Sequence, residues 1–156
     1  MSEPDNYDSH DEASFNEALA RRDAGDLAGA IVLLRALSVK RPNKASVVGM
    51  LAGLELDTKN YSSAVEHGQR AVSLAPRSEL ASRVLFHALF GIGDIDAAFA
   101  EAGRFRTIRD SVEYDRILAE LEDDTLRKLD DRAGDVFLTR LLTRVRDELK
   151  VRPVKQ

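Results

Sequence analysis

Gly25-Asp26-Leu27-Ala28-Gly29-Ala30, Lys59-Asn60-Tyr61-Ser62-Ser63-Ala64 and Gly93-Asp94-Ile95-Asp96-Ala97-Ala98 are three copies of one phrase. Each sets a turn residue before a helix-capping Asp or Asn, then a large apolar residue, two spacers and an alanine. The alanines stand at 30, 64 and 98, an interval of 34 residues both times. Pro42 and Pro76 repeat at the same interval, and Asp110 takes the third slot. A fixed period of this length marks stacked supersecondary units, none of which buries its apolar face alone.

Working outward from the phrase, each copy predicts a helix before it and a helix after it. Phe15, Ala18, Leu19 and Arg22 share helical spacing over Glu12 to Asp23. Gly25 closes that helix, because glycine reaches the left-handed conformation without steric cost. Asp26 caps the next, which carries Leu27, Ala30, Ile31, Leu34 and Leu37 on one side and stops before Pro42. Asn43 and Asn60 open the second pair, with Val47, Val48, Leu51, Leu54 and Leu56, then Tyr61, Ala64, Val65, Ala71 and Leu74. Ser78 starts the third pair, which passes Leu85, Phe86 and Leu89 before Gly91 and Gly93 break it; Asp94 caps its mate.

Beyond the repeats, Asp110 and Glu113 suit a capping box that opens a helix through Val112, Tyr114, Ile117, Leu118 and Leu121. Asp123-Asp124 weakens it, with Leu126 and Leu129 continuing after a kink. A last helix from Asp135 to about Val151 puts Phe137, Leu138, Leu141, Leu142, Val145 and Leu149 on one stripe. That stripe either completes a cap or projects as an apolar face for self-association. The expected organisation is an acidic disordered tail over residues 1–11 and three repeats over 12–110 (about 12–43, 44–77 and 78–111). Capping helices over 111–151 and a frayed end over 152–156 follow.

Composition sets limits on function. The chain has 156 residues, 44% hydrophobic and 32% charged, enough for a continuous core. It has no cysteine, which removes disulfides, thiolate metal sites and a cysteine nucleophile. The net charge of −4 gives no general attraction to nucleic acid, and no aromatic residue follows Phe137 to form a stacking platform. Charge is uneven, net −6 over residues 1–26 and net +4 over 126–156. The start is acidic where a signal peptide is basic then apolar, so the expected compartment is cytoplasmic.

The repeating residues resemble the tetratricopeptide repeat family over roughly Glu12 to Asp110. The resemblance implies an all-α solenoid of three helix hairpins with C-terminal capping helices. It places small-residue contacts at Ala18 with Ala30 and Ala52 with Ala64, with Phe86 against Ala98 in the third repeat. Ala71 matches the family's later small position, which Leu37 and Phe105 occupy in the other repeats. It further implies a concave groove lined by the first helix of each repeat. Transferred to this chain, the groove residues are Phe15, Leu19 and Arg22; Gly49, Gly53 and Leu56; and Arg83, His87 and Phe90. Arrays of this family that clamp acidic chaperone tails use Lys, Asn and Arg at positions that match Phe15, Leu19, Met50, Leu80 and Val84 here. None fits, so the expected ligand is an apolar helix or an extended peptide.

Gly49 and Gly53 stand at i and i+4 on one helix face, each costing roughly 0.5 to 1 kcal/mol against alanine. Either a neighbouring helix packs closely there, or the groove is shallow so that a ligand can approach. His10, His67 and His87 have no metal-ligand spacing. Gly91-Ile92-Gly93 lacks the third glycine and the strand of a dinucleotide fingerprint, and no nucleophile elbow or P-loop occurs. The chain is expected to have no catalytic residue, cofactor or metal, and to act as a non-enzymatic protein-interaction module, a scaffold or adaptor. Narrower forms are a dedicated secretion chaperone or a toxin-neutralising immunity protein; the alternative is a structural protein assembling as a homo-oligomer through its last helix. The partner is a protein or peptide, with no membrane and no nucleic acid expected.

Overall fold

The structure, a computed structural model, describes residues 8–151. The expected tail over residues 1–7 and the frayed end over 152–156 lie outside the described residues. Eight helices and no strand occur among the described residues. They are α1 Ser9–Asp23, α2 Leu27–Lys40, α3 Ala45–Asp57, α4 Tyr61–Leu74, α5 Glu79–Gly91, α6 Ile95–Ile108, α7 Val112–Asp131 and α8 Val136–Lys150. The fold is all-α and built from successive helix hairpins.

The interval of 34 residues reappears in the backbone. At the three turns Asp26, Asn60 and Asp94 donate their N–H back to the carbonyls of Arg21, Glu55 and Leu89, at 2.8, 2.8 and 3.0 Å. These bonds satisfy carbonyls that a helix end otherwise leaves without a partner. The residue before each donor has positive φ: Gly25 at 86°, Lys59 at 60° and Gly93 at 83°. Lys59 is the non-glycine among them, and it holds a conformation that crowds its Cβ. Asp26 caps α2 by accepting from the Gly29 N–H at 2.9 Å, and Asp94 accepts from Ala97 at 3.1 Å. Asn60 makes no such cap and instead donates to Thr58 Oγ1 at 2.9 Å.

The chain divides into two compact units, one ending at Ala98 and the other starting at Phe99. In the first, α2 packs on α1 and α3, and α4 on α3 and α5, with α3 also touching α5. Ala18, Ala30, Ile31, Leu34, Leu37, Val47, Leu51 and Leu54 form one core cluster. Ala18, Ala30, Ala52, Ala64 and Ala98 are all buried, as is Phe86, the one large residue at these positions. In the second unit α8 packs on α7. Arg106, itself buried, donates to the Glu148 carbonyl at 2.6 Å and to Asp115 at 3.0 Å, tying α6, α7 and α8 together.

Four boundaries differ from the sequence reading. α1 starts at Ser9, not Glu12, with Asp8 accepting from the Asp11 N–H at 2.9 Å. Asp11 is buried rather than part of a solvated tail, and Lys40 at 2.6 Å and Arg41 both donate to it. Two cations at the end of α2 thus draw an extra turn into the first hairpin. Lys44, not Asn43, precedes α3, and it makes no side-chain cap. Ser111, not Asp110, caps α7 by accepting from Tyr114 at 3.0 Å. α7 runs through Asp123-Asp124 as one helix; Lys128 pairs with Asp124 at 2.7 Å, one turn on, and offsets the charge there.

Candidate functional site

An open cleft of about 500 Å³ lies within the first unit. Its floor is α3, which supplies Ala45, Ser46, Gly49, Met50, Gly53, Leu54 and Asp57. Phe15 and Arg22 of α1 form one wall. The other wall is Ser78, Leu80, Ala81 and Val84 at the start of α5, with Ala71 and Ala75 from the end of α4. The lining is apolar apart from Arg22, Ser46, Asp57 and Ser78.

The two floor glycines distinguish this cleft from a packing seam. A Cβ built on Gly49 or Gly53 would meet nothing within 4 Å. Close packing of a neighbouring helix, one of the two explanations the sequence leaves open, is therefore not what these glycines serve. They leave a shallow strip along α3, while Leu80 stands 65% exposed beside it. Arg22 reaches over the strip, with Nη1 at 3.3 Å from Met50 Sδ, and pairs with Asp23 at 2.8 Å. Asp57 has no ion-pair or hydrogen-bond partner among the described residues.

Of the nine residues the sequence places in a groove, the structure gathers Phe15, Arg22, Gly49 and Gly53 around the cleft. Leu19 and Leu56 are half-buried and outside its lining. Arg83, His87 and Phe90 also fall outside it. His87 is exposed, with its ring edge-on to Phe86 at 5.4 Å, and Phe90 stacks on Phe86 at 6.1 Å. Two physical causes act. One position along a helix turns a side chain by about 100°, so Val84 faces the cleft in place of Arg83. The cleft also meets the start of α5, at Leu80, Ala81 and Val84, short of His87 and Phe90. The signal that finds them is the chaperone-clamp comparison, since Phe15, Met50, Leu80 and Val84 all line it.

A second polar cluster gives no sign in the sequence. Glu55 of α3 is fully buried, and it accepts from Arg35 of α2 at 3.1 Å and meets His67 Nδ1 of α4 at 2.7 Å. One carboxyl group therefore ties three helices together on the side of α3 that packs into the core. Among the described residues no cluster of His, Asp or Glu forms a site able to hold a metal ion. No helix among them is long and apolar enough to cross a membrane.

Leu138, Leu141 and Val145 of the last helix are buried, so half of its apolar stripe is covered within the chain, while Leu142 and Leu149 are half-buried. Val136 and Phe137 stay exposed at its start.

No protein-family model matches the chain, and no curated protein matches it. Among solved structures, the MamA RS-1 ArsTM double mutant matches with a TM-score of 0.66 at 19% identity. The match covers 92% of this chain and 78% of that one. It shows the tetratricopeptide-like helical-repeat fold for this chain, at an identity that carries the fold alone.

Proposed function

We propose that the protein is a non-enzymatic interaction module that holds a segment of another protein in the cleft over α3. The observation that carries this reading is the open space above Gly49 and Gly53. Two helix-weakening residues are kept on one face, and nothing in the chain fills the room they leave. The flanking Phe15, Met50, Leu80 and Val84 supply apolar surface whose removal from water on covering by a partner is favourable. An adaptor or scaffold role follows from that geometry. The narrower forms, a secretion chaperone or a toxin-neutralising immunity protein, would use the same cleft and differ in what they hold.

A photoreactive residue in place of Gly53, compared with one in place of Val32, tests the reading. Val32 is 66% exposed on α2, away from the cleft. The expected outcome is a discrete protein adduct from position 53 and none from position 32, and its identity decides among the narrower forms. Equal labelling from both positions would remove the cleft from the function.

A further inference from the structure

The chemistry of the cleft defines its ligand more narrowly, an inference that rests on the interaction reading. We propose that the occupant is an α-helix with an apolar stripe and a Lys or Arg placed to meet Asp57. Three observations combine. First, the cleft offers a ligand backbone almost nothing to bond to. Beyond its first turn, where the Ala45 and Ser46 N–H groups have no side-chain cap, the floor is a helix whose N–H and C=O groups serve its own ladder. Arg22, Ser46, Asp57 and Ser78 are the polar side chains of the lining. A polypeptide entering an apolar site must satisfy its own backbone hydrogen bonds. A helix does this and an extended peptide does not.

Second, the floor strip of Ala45, Gly49 and Gly53 runs along a single face of α3 at intervals of four residues. A second helix laid on such a strip meets it with side chains at i, i+3, i+4 and i+7. The absent side chains leave space for one bulky residue between the walls formed by Phe15 and Leu80.

Third, the charge at one end is uncompensated. Asp57 is the last residue of α3, where the helix already presents partial negative charge, and a carboxylate there is unfavourable. No basic residue occupies the last turn of α3, and Asp57 pairs with nothing among the described residues. The one cation in the lining, Arg22, is engaged by Asp23. The end of the cleft therefore favours a positive group on the ligand.

The test uses three synthetic probes about 18 residues long, some five helical turns. One carries Leu at i, i+3, i+4 and i+7 with Lys elsewhere, the second has Glu in place of Lys, and the third is the Lys peptide broken by two central prolines. Fluorescence anisotropy against the full chain is expected to show the Glu peptide weaker by about tenfold or more, with the broken peptide not binding. Asp57→Lys should reverse the preference between the Lys and Glu peptides. Equal affinity for those two, tight binding of the broken peptide, or no binding of any probe would overturn the proposal.

Gly53→Leu separates the two readings, since a Cβ there meets nothing within 4 Å and a melting curve verifies the fold. If it abolishes binding while the probes are not discriminated, the cleft reading stands and the helix-and-cation inference falls. If binding ignores it, the cleft reading itself falls. A concentration-dependent mass in sedimentation that Gly53→Leu removes would show a second copy in the cleft, which also overturns the proposal.

Discussion

The two sides of α3 use small residues to opposite ends. On the packed side Ala52 is fully buried, and Glu55 is held by Arg35 and His67. On the other side Gly49 and Gly53 face empty space. The glycine of the neighbouring α4 shows the contrast in one residue type: a Cβ on Gly68 would lie 3.4 Å from the Leu85 Cα. A missing side chain at Gly68 lets two backbones approach, whereas at Gly49 and Gly53 it leaves room that the chain does not use. The same helix is thus part of the core along one face and a surface kept open along the other.

The largest effect should come from the packed side. Removing both partners of Glu55, as in Arg35→Ala with His67→Ala, leaves a fully buried carboxyl group with none of its partners. A cost of roughly 3 to 5 kcal/mol is expected for such a group, read from urea unfolding. Each single change should cost less, because the other partner remains, and the double change should exceed their sum. Strict additivity would mean that the three groups do not share one site. Next in size is Ala64→Leu, which inserts bulk at a fully buried position of α4 and should cost roughly 1 to 3 kcal/mol. An unchanged melting temperature would show that the small residue there is not required for close helix packing.

The open side should respond with the opposite sign. Gly49→Ala and Gly53→Ala meet no neighbouring atom, so each should gain roughly 0.5 to 1 kcal/mol from helix propensity alone. The added methyl groups project into the cleft, and binding of a helical probe should weaken as stability rises. A loss of stability in either variant would mean that the space above α3 is occupied. Stability and binding moving together would erase the contrast between the two sides.

The repeats were legible because their signals are local. The turn glycines and the capping Asp26 and Asp94 act through the geometry of a few adjacent residues, and the buried alanines at 30, 64 and 98 follow them at a fixed offset. The cleft was legible in part. Its floor follows from the helical spacing of Gly49 and Gly53, but the wall on α5 depends on which way that helix is rotated. A rotation error of one residue exchanges Val84 for Arg83. Arg35, Glu55 and His67 lie on three helices, and nothing near Glu55 in the sequence marks it as buried and bonded rather than exposed. Asp11 escaped notice for the same reason, since Lys40 and Arg41 stand a whole hairpin away.

Asp11 is the first hairpin's counterpart of Glu55, and it gives a test that alters no residue of α3 and moves little near neutral pH. The hydrogen bond from Lys40, aided by the hydrogen bond and charge of Arg41, holds its carboxyl below the usual carboxylate range, against the opposing effect of burial. A carboxyl whose pKa is lower in the folded chain binds protons more readily when unfolded. Its stabilising contribution is therefore fully present above the ordinary value of about 3.9 and is lost as pH falls through the depressed folded value. Urea midpoints of the wild-type chain should decline more steeply below about pH 4 than those of Asp11→Asn, which carries no titrating group at that position. The two curves should converge towards the acid end. Parallel curves over the whole range would show that Lys40 and Arg41 do not hold Asp11 in solution, and that the first turn of α1 is anchored by something other than charge.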